Sequence, residues 1–204
     1  MVLNEENTKK IAENLGDQDL NLVKRTIKGD EIAFEQLVKK YQHPVLNTIY
    51  RYTGNYSEAE DIAQDVFVKV WWNIKRFKRK SKFSTWLYRI VVNQCLDYRR
   101  KRRRQSTSVA WQTQAPFGEG KIPESLTVEL DFERRKKATI VQQAINGLPD
   151  NQRIALILSQ YENKSYQEIA DIMRISLASV AMLIFRAKSN LKTKLIPLRE
   201  KGII

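Results

Sequence analysis

Residues 57–104 read SEAEDIAQDVFVKVWWNIKRFKRKSKFSTWLYRIVVNQCLDYRRKRRR, and this stretch sets the reading of the whole chain. It divides into two helices joined by a basic loop. Ser57 and Glu60 stand at the positions of a capping box, which predicts the start of the first helix. Ala59, Ile62, Ala63, Val66, Phe67, Val70, Trp71 and Ile74 then recur at spacings of three and four, the pattern of one buried helical face. The opposite side carries Asp61, Gln64, Asp65, Val68 and Trp72. Carboxylates beside an unburied Val and Trp make a poor solvated surface. They suit an interface with an aromatic anchor ringed by polar groups. The alternative is that Trp72 packs beneath another element of the same domain.

The loop, Lys75 to Lys82, has no acid, and none occurs between Asp65 and Asp97. Lys75, Arg76, Lys80 and Lys82 are interleaved with Phe77 and followed by Phe83 and Trp86. Cations hold phosphates while unpaired bases stack on aromatic rings, so this mixture suits single-stranded DNA. A solvated charge run is the plainer alternative. The second helix starts near Ser84 or Thr85. At about a hundred degrees per residue it sets Trp86, Arg89, Asn93 and Arg100 on one face. Leu87, Ile90, Val91 and Cys95 supply the core side. It ends in six consecutive basic residues, Arg99 to Arg104, Arg103 among them, whose natural partner is a phosphate backbone.

These residues resemble conserved region 2 of the sigma-70 superfamily, in the form found in the small extracytoplasmic-function group of bacterial RNA polymerase sigma factors. The resemblance runs from about Asp30 to Arg104. It implies that Asp61, Gln64, Asp65, Val68 and Trp72 dock on the clamp helices of the largest catalytic polymerase subunit. It further implies that Lys75, Arg76, Phe77, Lys80, Lys82, Phe83, Trp86, Arg89, Asn93, Arg100 and Arg103 bind and melt the minus-ten promoter element.

Composition agrees with an anionic partner. The 204 residues carry 36 Lys and Arg against 23 Asp and Glu, a formal charge of +13. Nucleic acid is the first class this favours and an acidic membrane surface the second. With 42% apolar residues the chain can build cores, in one domain or two small ones. A single Cys allows no internal disulfide, and a single His offers no zinc set. Cys95 reads as a small core residue, and His43 before Pro44 as structural. No apolar run reaches membrane-spanning length and no signal-peptide block opens the chain, so a soluble cytoplasmic protein is expected, without membrane insertion and without cofactor or metal.

Upstream, residues 1–16 read as a polar tail with some helical character at Ile11 to Leu15. Asp17 or Gln18 opens a helix through Leu20, Val23 and Ile27 to Gly29. Asp30 caps the next, with Ile32, Phe34, Leu37, Val38 and Tyr41 as its apolar set. Pro44 marks a further start, carried by Val45, Leu46, Ile49 and Tyr52 to Gly54. Residues 17–104 are thus expected to form one helical domain. From 105 to 128 two Pro, two Gly and several Ser and Thr without periodicity read as a flexible linker, in which Trp111 and Phe117 are either transient contacts or docking points.

A second helical domain is expected at 129–196, followed by a tail at 197–204. Its first helix runs from Asp131 to Asn146 and stops at Gly147. Leu148-Pro149-Asp150 opens another with Ile154, Ala155, Ile157 and Leu158. Ser165 and Glu168 form a capping box, the helix ends near Arg174, and Ser176 caps a longer helix. This is the helix-turn-helix pattern. With LPDNQR at 148–153 it resembles region 4 of the same superfamily, which reads the minus-thirty-five element and meets the polymerase flap.

Region 4 recognition helices commonly read Gly-Thr-Val-Lys-Ser-Arg where this chain has Ala178, Ser179, Val180, Ala181, Met182 and Leu183, so two expected cations are missing. Rotation places Val180, Leu183, Ile184, Ala187 and Leu191 inward. Ser179, Met182, Phe185, Arg186 and Ser189 face outward and, with Ser165, Tyr166 and Ser176, make the candidate minus-thirty-five surface. Arg186 can bond a guanine edge or a phosphate, and Met182 or Phe185 can meet a thymine methyl. Alternatively, Met182 and Phe185 pack on the preceding helix.

The fold class expected is therefore all-α, as two small helical domains joined by a linker. The function expected is a non-catalytic promoter-specificity subunit with core RNA polymerase and promoter DNA as partners. Many members of the superfamily are also held by an anti-sigma factor. A dimeric helix-turn-helix regulator would explain the second domain and the charge, but not the acid-Trp face or the aromatic-cation loop. An enzyme would need a phosphate loop, a metal set or a nucleophile elbow, none of which the sequence carries.

Overall fold

The computed structural model describes residues 19–78, 80–108 and 132–203, and all regular structure among them is helical. Residues 19–27 form α1. Then come α2 (Glu31–Thr53), α3 (Tyr56–Asn73), a 3-10 turn (Ile74–Arg76) and α4 (Phe83–Ser108). The second half holds α5 (Phe132–Asn146), α6 (Asp150–Gln160), α7 (Tyr166–Met173) and α8 (Leu177–Glu200). The expected tail at 1–16, the starts at Asp17 and Asp131, and Trp111 and Phe117 lie outside the described residues.

Asp30 caps α2 as its sequence predicts, its carboxylate accepting the Ala33 N–H at 2.9 Å. That bond, with a further one from Arg25, holds the Asp30 carboxyl below its ordinary pKa. The break expected at Pro44 does not occur, and α2 runs straight through it. A proline inside a helix costs about 3 kcal/mol. Both halves of α2 bury residues on one core, Ala33 and Leu37 before Pro44 and Val45, Ile49 and Tyr52 after it. Each large apolar side chain so buried contributes about 1.5–3 kcal/mol, which outweighs the proline. Gly54 ends the helix at φ 75°, a left-handed cap.

The start expected for α3 also shifts. Asn55, not Ser57, caps it, accepting the Glu58 N–H at 3.2 Å. Gly54 turns the chain so sharply that the next residue is already extended and in position to cap. The helix α4 continues to Ser108, four residues beyond the expected linker boundary at Arg104. In α7 the predicted capping box is present: Ser165 Oγ accepts the Glu168 N–H at 3.2 Å, and Glu168 accepts the Ser165 N–H at 2.9 Å. Arg174 adopts φ 56° between α7 and α8, and Ser176 caps α8.

The two halves are packed on each other. One contiguous apolar cluster joins Val45, Ile49, Tyr52, Leu87 and Val91 with Ile154, Ile157, Leu158, Ile169, Val180 and Ile184. The helix α4 lies at the centre, with α2 and α3 on one side and α6 and α7 on the other.

Candidate nucleic-acid and partner interfaces

The two faces of α3 separate as its periodicity requires. Ala59, Ile62, Ala63, Val66 and Val70 are buried. Asp61, Gln64 and Asp65 are exposed, as are Val68 at 54% and Trp72 at 74%. Trp72 therefore does not pack beneath another element. It stands at the rim of a groove between α2 and α3 whose floor includes Phe34, Val38, Leu46, Phe67 and Trp71, with a volume of about 620 Å³. Phe34 and Trp71 meet inside it, ring centroids 4.9 Å apart. Ile32 adds another exposed apolar group on α2, at 64%. The lining also includes Glu60 and Gln64 of α3, and Asp61 and Asp65 are exposed on the same helix. An apolar groove with such acidic neighbours suits an amphipathic helix with basic flanks. The contribution of α2 to this groove was not legible in α3 alone.

The basic loop departs from the expected arrangement of exposed rings. Phe77 and Phe83, expected to stack on bases, are buried at 6% and 3% exposure. Phe77 lies 6.1 Å from Phe83 and 5.5 Å from Trp86, and Phe83 lies 5.5 Å from Tyr41. Ring-on-ring packing anchors both ends of the loop to the core, which removes these two rings from the surface. Trp86 is half-buried, while Lys75, Arg76, Lys80 and Lys82 are exposed. Of the three rings, only Trp86 keeps substantial exposed area.

Along α4, Leu87, Val91 and Cys95 are buried and Ile90 half-buried, as expected. On the other face Asn93 and Arg100 are exposed and Arg89 half-buried. The basic run is not a free cationic surface. Arg100 pairs with Asp97, Arg102 with Glu58 at 3.1 Å, Arg99 with Asp150 at 3.3 Å, and Arg103 with Asp150. Asp150 belongs to α6, so two of these pairings are ones no local reading of 99–104 supplies.

In the helix-turn-helix, Val180, Ile184 and Ala187 are buried, and Ser179, Met182, Phe185, Arg186 and Ser189 are exposed, matching the predicted rotation. Phe185 is 70% exposed and so does not pack on α7. Ser165 and Tyr166 are exposed at the start of α7. Ser176 is engaged as a cap, its hydroxyl accepting the Ser179 N–H at 3.2 Å.

Arg153, the last residue of the LPDNQR run, has a structural role that no local sequence pattern signals. It is fully buried, donating to the carbonyls of Tyr52 at 2.9 Å, Leu148 at 3.1 Å and Asn146. Burial and then the nearby Arg99 charge pull its pKa down to about 10, still high enough to keep it charged at neutral pH. Among the described residues no candidate metal cluster occurs, and no helix is long and apolar enough to cross a membrane.

Comparison with known proteins places both surfaces in one family. Residues 37–105 match Sigma-70 region 2, and residues 138–191 match Sigma-70, region 4. The chain is 37% identical to the RNA polymerase sigma-H factor of Pseudomonas aeruginosa, over 91% of this chain and 98% of that one. It is 34% identical to the ECF RNA polymerase sigma-E factor of Escherichia coli, over 92% and 98%. It is 33% identical to the ECF sigma factor SigW of Bacillus subtilis, over 85% and 94%. In fold it resembles CnrH, solved in complex with the cytosolic domain of CnrY, with a TM-score of 0.65, 22% identity, and coverage of 87% of this chain and 97% of that one. It also resembles the sigma factor RpoE of Bartonella quintana, solved with the anti-sigma factor NepR, with a TM-score of 0.62, 23% identity, and coverage of 79% and 96%. A lone helix-turn-helix regulator leaves residues 37–105 unexplained, whereas both halves and their order are those of one protein type. The chain belongs to the extracytoplasmic-function group of RNA polymerase sigma factors in the sigma-70 superfamily.

Proposed function

We propose that this sigma factor docks on core RNA polymerase through Asp61, Gln64, Asp65, Val68 and Trp72, and that the apolar groove against α2 receives part of the same partner helix. The observation that carries this is the outward Trp72 at the rim of the groove beside three exposed polar side chains. Lys75, Arg76, Lys80, Lys82, Trp86, Arg89, Asn93, Arg100 and Arg103 then act on the minus-ten element. Trp86 supplies a stacking face, and the cations hold the backbone. Phe77 and Phe83 serve only to position Trp86. Ser165, Tyr166, Ser179, Met182, Phe185, Arg186 and Ser189 meet the minus-thirty-five element, with Arg186 the cation able to reach a base edge. Ser176 holds the start of the recognition helix.

The chain carries out no chemistry itself. It works in the cytoplasm with core polymerase and promoter DNA, and its fold relatives' anti-sigma complexes support an anti-sigma partner for it as well. Gel filtration with core polymerase tests the docking surface. The wild-type chain comigrates, and Asp65→Arg with Trp72→Ala elutes alone while keeping native circular dichroism. Comigration of the double variant at unchanged affinity overturns the assignment.

A further inference from the structure

The outward side of the recognition helix is almost devoid of hydrogen-bonding groups. Between Leu177 and Arg186, only Ser179 and Arg186 carry a strong side-chain donor or acceptor. The Ser179 hydroxyl is engaged with that of Ser176, 2.8 Å away, and Ser176 in turn caps the helix. The Ser165 hydroxyl is likewise taken up in the capping box of α7. What α8 presents instead is apolar. Leu177 and Met182 are each 49% exposed and Phe185 is 70% exposed, with the small Ala178 and Ala181 exposed among them.

That inventory limits which bases α8 can tell apart. In the major groove the four bases differ in their donors and acceptors, and thymine alone adds a methyl group. An apolar side chain reads the methyl and nothing else. Helix-turn-helix proteins set the N-terminal residues of the second helix against base edges, while the first helix crosses the backbone. Ala178, Ala181, Met182 and Phe185 are three or four residues apart and share one face. From Ala178 to Phe185 the helix rises about 10.5 Å, which is about three base-pair steps of a duplex. Ala178 and Ala181 allow the backbone close to the base edges. Met182 is unbranched and polarizable, so it conforms to an irregular apolar surface.

We propose that α8 reads a short run of thymines, on either strand, through their C5 methyl groups. Met182 and Phe185 are the specificity-determining side chains, and Arg186 makes the one hydrogen-bonded base contact beside them. This rests on the minus-thirty-five role proposed above for the same face, and it names the bases read and the force that selects them. That force is removal of apolar surface from water, which releases no counterions. Preference for the run therefore holds as salt rises, whereas phosphate contacts weaken.

Deoxyuridine tests this, because it lacks only the methyl group of thymidine and keeps every hydrogen-bonding group. The probe is a promoter fragment whose start site has been mapped with the full chain in holoenzyme. It is made with thymidine or with deoxyuridine throughout the minus-thirty-five element. Each methyl removed should weaken closed-complex binding about three- to fourfold, the transfer preference of one methylene-sized group. The factor should be the same at low and high salt. Met182→Ala with Phe185→Ala should bind the thymidine fragment more weakly than wild type and should no longer distinguish the two fragments. Unchanged circular dichroism and core binding show that this variant is folded. An element without thymines, equal binding of the two fragments by wild type, or a double variant that still distinguishes them each overturns the methyl reading. Where scrambling the element weakens binding and deoxyuridine does not, the face keeps its minus-thirty-five role and the methyl reading alone falls. If scrambling the element changes nothing, that role falls and the methyl reading with it.

Discussion

Replacing Trp72 with alanine separates an interface residue from a packing residue. A Trp side chain buries about 150–250 Å² when covered. Trp72 is 74% exposed, so a docked partner can still cover roughly 110–185 Å² of it. At about 25 cal/mol per Å² that is roughly 3–4.5 kcal/mol of transfer free energy, an upper bound because ordering the interface opposes it. A loss of about 2–4 kcal/mol on truncation is the range of an interface hot spot, equivalent to a Kd roughly 30- to 1000-fold weaker. Folding stability should change by no more than about 0.5 kcal/mol, as for other surface substitutions. Fluorescence anisotropy with labelled chain and core polymerase gives the first quantity, and urea unfolding gives the second. A Kd within about threefold of wild type refutes the reasoning. A large loss of stability does so too, because it would mean that the ring supports the fold.

Trp86→Ala should lower open-complex formation more than closed-complex binding, since stacking is worth about 1–3 kcal/mol per base. Permanganate footprinting separates the steps, and equal loss at both would mark Trp86 as a packing partner of Phe77 and Phe83 only. Replacing Arg100, Arg103 and Arg104 with Gln should weaken holoenzyme binding to all promoters alike. It should also flatten the plot of log affinity against log salt by about 0.9 for each phosphate no longer neutralised, as filter binding across a salt series would show. Loss of discrimination at the minus-ten element with an unchanged slope would mean these arginines read bases. Glu168 is half-buried, which raises its carboxyl pKa, but bonds from the Ser165 N–H and hydroxyl outweigh this and leave it below its ordinary value. A depressed carboxyl contributes stability above its unfolded pKa and loses it as pH falls through the folded value. Glu168→Gln should therefore lower the urea midpoint at pH 7 and have less effect at about pH 3, below the ordinary carboxyl range; an equal effect at both would argue against the charged cap.

Helical periodicity made most of the fold legible. The inward residues of α3, α4 and α8 and the outward residues of the recognition helix stand where a rotation of about a hundred degrees per residue sets them. Three departures have identifiable physical causes. Pro44 marks no break because burial on both sides of it outweighs one missing hydrogen bond. Asn55 displaces Ser57 as the cap because Gly54 turns the chain first. Phe77 and Phe83 resemble exposed stacking rings by spacing, but Tyr41 of α2 comes within packing distance of Phe83 only once α2 and α4 are assembled. The pairings of Asp150 with Arg99 and Arg103, and of Glu162 with Thr48 and Tyr88, are the least legible part. They join residues distant in sequence and follow no local period, and a charged side chain on a helix surface looks the same whether it meets water or another half of the molecule.

The central claim is that this chain confers promoter choice on core RNA polymerase. The direct measurement is transcription in vitro from fragmented genomic DNA, using core polymerase with and without the chain, followed by sequencing of RNA 5′ ends. A discrete set of start sites is expected only when the chain is present, each preceded by shared sequence near minus ten and minus thirty-five. The same set should be lost with Asp65→Arg and Trp72→Ala. Start sites that are indistinguishable with and without the chain would contradict the claim.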